Sequence, residues 1–178
     1  MNLYCAPLCE KRGTATVYAL LAHAFQTEYH DKLPTIEKTP NGKPYFPERP
    51  EIYFSLSHGK THVLCALSEN PVGVDVEAPR QISERAIRFF STPEELTHFD
   101  PLDLWILKES YIKLIGGTLA IMKKIKFSRQ PEGNIIVFAN SDAAEPEESV
   151  KSKLYHISGC RAAVTAAVET PPETIVFI

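Results

Sequence analysis

The sequence predicts an α+β chain of two similar subdomains, and three observations carry that expectation. Strand-like apolar runs outnumber amphipathic helices, and the two do not alternate regularly enough for a doubly wound sheet. One pattern also occurs twice. Residues 63–69 (VLCALSE), a proline turn and an apolar strand are echoed by residues 163–169 (AVTAAVE), Pro171-Pro172 and another apolar strand. A helix leads each half. With 178 residues and 44% hydrophobic content, the chain can bury a core as one domain or two small units.

Residues 3–5 read as a short opening strand. Arg12-Gly13 leads into a helix over 14–29, where Val17, Leu20, Leu21, Ala24 and Phe25 recur at helical spacing. Asn41-Gly42-Lys43-Pro44 reads as a turn. Residues 52–57 alternate apolar and small polar side chains as a half-buried strand does, and His58-Gly59-Lys60 turns the chain into a strand over 62–67. The acid-bearing run Val72-Gly-Val-Asp-Val-Glu77 follows. Thr92-Pro93-Glu94-Glu95 supplies a helix cap, a proline at the first helical position and a capping-box glutamate. A stronger helix over 102–115 stops at Gly116-Gly117. Strands are expected near 125–127, 135–138, 153–157, 161–168 and 174–178. The acidic, apolar-poor residues 141–152 are expected to form an exposed loop.

Bulk properties exclude several classes of function. A net charge of −3 and a pI near 6.1 argue against nucleic-acid binding through a broad basic face, but leave room for a small basic pocket. No stretch approaches the length of a membrane span, and the first residues lack the basic start and apolar core of a signal peptide, so a cytoplasmic protein is expected. Four cysteines, at 5, 9, 65 and 160, are few for a disulfide framework. Cys65 and Cys160 lie in apolar runs and read as small core residues. The C-x3-C spacing of Cys5 and Cys9 has no third nearby cysteine to make an iron–sulfur motif.

The chemistry begins with the two acids in an apolar strand. Residues two apart share a strand face, so Val72, Val74 and Val76 form one face while Gly73, Asp75 and Glu77 form the other. At ~6–7 Å between Cα atoms and an effective dielectric of ~20, two full charges repel by about 2–3 kcal/mol. Solvent, a basic partner or a cation must offset this. On the strong helix, Trp105, Glu109 and Lys113 fall at i, i+4 and i+8 and make one line. Either Glu109 and Lys113 form a solvated brace, or the pair is half-buried, faces Asp75 and Glu77, and completes a site. The apolar neighbours Ile106, Leu107, Tyr111, Ile112, Leu114 and Ile115 leave little of that helix polar. Three carboxylates in one crevice suit a magnesium ion bridging phosphate oxygens, and lysine supplies a point charge for phosphate. Ser55-Leu-Ser-His-Gly59 adds two hydroxyls and an imidazole at a strand end, where glycine lets backbone approach a ligand.

Together these segments resemble a family. Gly42-Lys-Pro-Tyr45, Phe54-Ser-Leu-Ser-His58, Val72-Gly-Val-Asp-Val-Glu77 and Trp105-Ile-Leu-Lys-Glu-Ser-Tyr-Ile-Lys113 look, in this order and spacing, like the signature segments of 4′-phosphopantetheinyl transferases. The match is closest to the surfactin-synthetase-activating type, in which one chain carries two α/β subdomains related by a pseudo-twofold axis. Here the subdomains are expected at 1–72 and 73–178, with the active site between them.

The resemblance implies transfer of the phosphopantetheine arm of coenzyme A to a serine of an apo acyl, polyketide or peptidyl carrier protein, with release of 3′,5′-ADP. By motif position Asp75, Glu77 and Glu109 are implied ligands of Mg²⁺, with Mn²⁺ as an alternative, and Gly73 is read as keeping their strand face open for the ligand. Glu109 and Lys113 are the implied catalytic pair. Whether Glu109 serves as base, ligand or both stays open. Lys43, Pro44, Ser57 and His58 are implied contacts of coenzyme A, and Arg12 of its 3′-phosphate. A chain holding both halves is expected to be a monomer. The alternatives weighed are a silent coenzyme A-binding protein of the same fold and a Mg²⁺-dependent phosphohydrolase of pyrophosphates.

Overall fold

The computed structural model describes residues 1–8, 13–139, 146–157 and 159–178. Its elements run β1 (Asn2–Pro7), α1 (Gly13–Tyr29), β2 (Glu37–Lys38), β3 (Pro44–Tyr45), β4 (Tyr53–His58), β5 (His62–Ser68), β6 (Val72–Glu77), α2 (Glu84–Phe90), α3 (Glu95–His98), α4 (Pro101–Ile115), β7 (Lys126–Arg129), β8 (Ile135–Phe138), β9 (Val150–Ile157), β10 (Cys160–Ala167) and β11 (Val176–Phe177). The α+β expectation holds. One sheet has the order β11-β1-β5-β4, a second the order β6-β10-β9-β8-β7, and β2 pairs with β3 as a small hairpin.

Strand alternation sorts the side chains into layers. From β1 and β5, Tyr4, Val63, Cys65 and Leu67 face α1, where they meet Val17, Leu20, Leu21, Ala24 and Phe25. Leu3, Cys5, Leu64 and Ala66 point the other way, onto Val72, Val74 and Val76 of β6 and Ala162, Val164 and Ala166 of β10. On the far side of the second sheet, Ala163, Phe127 and Val137 pack against Leu104, Leu107, Tyr111 and Ile112 of α4. The order of layers is α1, first sheet, second sheet, α4. With valine on the inner face of β6, the glycine and the acids must face α4.

The two sheets meet edge to edge at β4 and β6. Instead of a backbone ladder, the Ser55 hydroxyl accepts from the Val74 amide (3.0 Å) and the Ser57 hydroxyl from the Val76 amide (3.2 Å). These bonds satisfy amides that would otherwise be buried unpaired. The C-terminal β11 returns to the first sheet, parallel to β1.

Several expectations change at the margins. β9 starts at Val150, which is buried, so the last part of the expected 141–152 loop is strand; residues 141–145 lie outside the described residues. The last strand shortens to β11. The capping box is real and reciprocal: the Thr92 amide donates to Glu95 (2.9 Å) and the Glu95 amide to the Thr92 hydroxyl (3.2 Å), but α3 is a single turn. Helix α4 ends as expected, with Gly116 left-handed at φ 65°. Cys5, Cys65 and Cys160 are buried free thiols, and Cys9 lies outside the described residues. No helix among the described residues is long and apolar enough to cross a membrane.

Candidate active site

Helix α4 is set by strong local signals. Asp100 caps it by accepting from the Leu102 amide at 2.9 Å, and Pro101 occupies its first position. Almost all of the helix is buried; Trp105, Glu109 and Lys113 are half-buried, on the line read from the sequence. That line runs along β6, because α4 packs on β6 and β10.

Gly73 fixes how close the helix comes. A Cβ there would sit 1.9 Å from the Ser110 carbonyl oxygen and 2.4 Å from the Leu114 amide nitrogen. The sequence explanation, that Gly73 keeps the acid face open for a ligand, is corrected: the helix backbone fills that space. Across the ladder Gly73 pairs with Thr165, whose hydroxyl bonds Ser110 at 2.7 Å and tethers the same turn of α4. This contact brings Glu109 and Lys113 beside the acids.

Asp75 is buried. Its Oδ1 accepts from the Lys113 ammonium and from the Ser57 hydroxyl, both at 2.8 Å. Of the two readings of the helix pair, the half-buried one facing the strand acids is what forms, with Lys113 turned onto the strand. Glu109 is pushed up to about 7, by burial first and the Asp75 charge second; Lys113 opposes that shift and Glu77 adds to it. The charges of Asp75 and Glu77 therefore both reach Glu109. Glu77 lies nearer the rim and accepts from Arg80 at 3.2 Å.

The donors are all hard carboxylate oxygens, which fits Mg²⁺ or Mn²⁺ in chemistry. Among the described residues no three His, Cys, Asp or Glu side chains are drawn together tightly enough to ligate one ion. As they stand, cations of the chain hold two of the acids, Lys113 at Asp75 and Arg80 at Glu77.

The remaining sequence candidates surround this crevice. Lys43 and Pro44 line a cleft of about 220 Å³ together with Ser55, Lys113, Gly116 and Gly117. The Lys43 ammonium donates to the Leu114 carbonyl at the end of α4, and burial lowers its pKa. Ser57 is buried with its hydroxyl shared between Asp75 and the Val76 amide. His58 is exposed at the end of β4, its ring against Gly13 at the start of α1. Arg12 lies outside the described residues.

Sequence reading missed Lys108 and half of what Glu95 does. Lys108 is fully buried, 2.9 Å from Glu95, and its ammonium also donates to the Phe90 and Met122 carbonyls. Glu95 in turn accepts from the Thr92 and Phe127 amides. The available signal was a lysine one turn from Leu104 and from Ile112, on an apolar side of the helix where an ion partner is required.

The sequence of the chain is similar to those of known proteins. The family model described as the 4′-phosphopantetheinyl transferase superfamily matches residues 71–167, more than half of the chain and the part that holds β6 and α4. The chain is 29% identical to 4′-phosphopantetheinyl transferase Sfp of Bacillus subtilis (strain 168), over 93% of its own length and 77% of that protein. It is 32% identical to 4′-phosphopantetheinyl transferase ffp of Bacillus subtilis, over 77% of its length and 65% of that protein. With 4′-phosphopantetheinyl transferase gsp of Aneurinibacillus migulanus it shares 36% identity over 47% of its length and 39% of that relative. The chain belongs to the 4′-phosphopantetheinyl transferase superfamily.

Proposed function

We propose that this protein transfers the 4′-phosphopantetheine arm of coenzyme A to a serine of an apo acyl, polyketide or peptidyl carrier protein, releasing 3′,5′-ADP. The observation that carries this reading is the crevice between β6 and α4, where Asp75, Glu77, Glu109 and Lys113 face one another. The names of the relatives support the same reaction class. In this reading the active site lies between units 1–72 and 73–178, with Lys43, Pro44 and Ser57 from the first and the crevice acids and Lys113 from the second, and one chain suffices for a site.

Asp75, Glu77 and Glu109 would hold Mg²⁺, which when bound supplies charge neutralisation at the pyrophosphate of coenzyme A. The chain's own residues do the rest. The Glu109 carboxylate accepts the proton of the incoming serine hydroxyl. The Lys113 ammonium, one side chain from both Asp75 and the cleft, stabilises charge on the phosphate that departs with the nucleotide. Ser57 holds Asp75 in place and meets coenzyme A through that position. Lys43 and Pro44 form the wall of the cleft that receives the nucleotide, and His58 and Arg12 give polar contacts to its phosphates.

The test is product analysis with and without an apo carrier. Coenzyme A should be consumed, and 3′,5′-ADP formed, in step with carrier added. Consumption at the same rate without any carrier would instead show a phosphohydrolase of pyrophosphates.

A further inference from the structure

We infer that Arg80 is a counter-ion latch on Glu77 which a divalent cation must displace, so that the chain itself tunes how tightly its acids hold metal. This rests on the reading of Asp75, Glu77 and Glu109 as a cation site.

The two strand acids are neutralised in different ways. Asp75 is held from inside the fold by Lys113 and Ser57, and its side chain is 9% exposed. Glu77 is held at the rim by Arg80, with the two side chains 25% and 36% exposed. Arg80 belongs to residues 78–83, which join β6 to α2 without regular secondary structure, so its side chain can turn away without unpairing the strand. Another cation, Arg161, stands opposite Glu77 in the β6–β10 register but is committed to Asp100 (2.9 Å) and Asp103 (3.2 Å).

Arg80 also touches the catalytic helix. Its guanidinium lies 5.9 Å from the centre of the Trp105 ring, one turn before Glu109 on the same line. The latch therefore spans the mouth of the crevice, from the strand that carries two acids to the helix that carries the third. An exposed ion pair of this kind is weak enough to exchange for a divalent ion, and its loss should tighten metal binding by about two- to five-fold. Trp105 is the one tryptophan of the chain, so its fluorescence reports on the guanidinium above it.

The experiment is calorimetric titration of Mn²⁺ into the wild-type protein, Arg80→Gln, Glu77→Gln and the double variant. Arg85→Gln serves as a control for loss of a nearby positive charge. Trp105 emission is followed with and without Mg²⁺. The latch predicts binding about two- to five-fold tighter in Arg80→Gln, a smaller change in Arg85→Gln, and no effect of Arg80→Gln once Glu77 is glutamine. It also predicts that Mg²⁺ moves wild-type emission toward that of metal-free Arg80→Gln. Equal gains in Arg80→Gln and Arg85→Gln, or a gain that persists in the Glu77→Gln background, would overturn the latch and leave the cation site standing. Absence of Mn²⁺ binding in every protein would overturn the cation site and the latch together.

Discussion

Lys108 and Lys113 sit five residues apart on α4, and each meets a carboxylate, yet they do opposite work. Lys108 is sealed from solvent, and its ammonium is saturated by Glu95 and two carbonyls. Glu95 is saturated in turn by two amides. That network ties α2, α3, β7 and the turn after α4 to one point, and leaves no donor for a ligand. Lys113 is 30% exposed, bonds one oxygen of Asp75 and lines a cleft. An ion pair thus becomes a functional site when its partners are incompletely satisfied and a ligand can reach them.

The largest effect on stability is expected at Lys108. Lys108→Met should cost about 3–5 kcal/mol, because it strands a buried carboxylate and two carbonyls. A denaturant titration reads this as a lowered midpoint with an unchanged slope. Pairing Lys108→Met with Glu95→Met should recover much of the loss, since two apolar side chains can replace a buried pair.

Gly73→Ala comes next. The added methyl collides with the Ser110 carbonyl, so α4 must move or the core must strain, at about 1–3 kcal/mol or more. Unlike Lys108→Met with its rescue, this variant should lose transfer even at temperatures where it stays folded, because Glu109 and Lys113 ride on the displaced helix.

A smaller effect depends on pH. Glu109 is raised from 4.5 to about 7 in the folded, metal-free chain, so between those values the folded state binds more protons than the unfolded one. The raised value therefore makes stability fall as pH rises through about 7. Glu109→Gln removes the burial cost of the charge: in EDTA it should melt higher than wild type at pH 8, by about 2–4 °C for each kcal/mol relieved, and close to wild type near pH 5. Equal melting at both values would contradict a buried, acid-flanked Glu109. The smallest change in stability belongs to Lys113→Ala, at or below about 1 kcal/mol, since its pair is partly open to water.

The parts of the site that depend on local periodicity were legible in the sequence. The two-residue repeat of Val72, Val74 and Val76 put Asp75 and Glu77 on one face, and the four-residue spacing of Trp105, Glu109 and Lys113 put those on one line. Both survive in the fold because each follows from a single element's geometry. What failed depends on how elements meet. Gly73 looked like room for a ligand because a sequence does not show that a helix backbone lies over it. Ser55 and Ser57 looked like the small polar half of a strand, yet they cap the amides of a strand from the other sheet. Glu95 was legible as a cap, since that bond reaches three residues, while its pairing with Lys108 spans thirteen residues and a packed core. The start of β9 was hidden because Val150 follows an acidic run and is buried only by tertiary packing.

The most direct test of the crevice as the reaction centre is the intact mass of apo carrier proteins after incubation with coenzyme A, Mg²⁺ and either wild-type protein, Glu109→Gln, Lys113→Ala or Lys108→Met/Glu95→Met. The expected result is a mass gain of one phosphopantetheine arm with wild type and with the Lys108→Met/Glu95→Met double variant. The gain should vanish with Glu109→Gln and fall by about 10²–10³-fold in rate with Lys113→Ala. Full transfer by Glu109→Gln, together with a folded but inactive double variant, would contradict the assignment of the chemistry to the open pair and of the scaffold to the buried one.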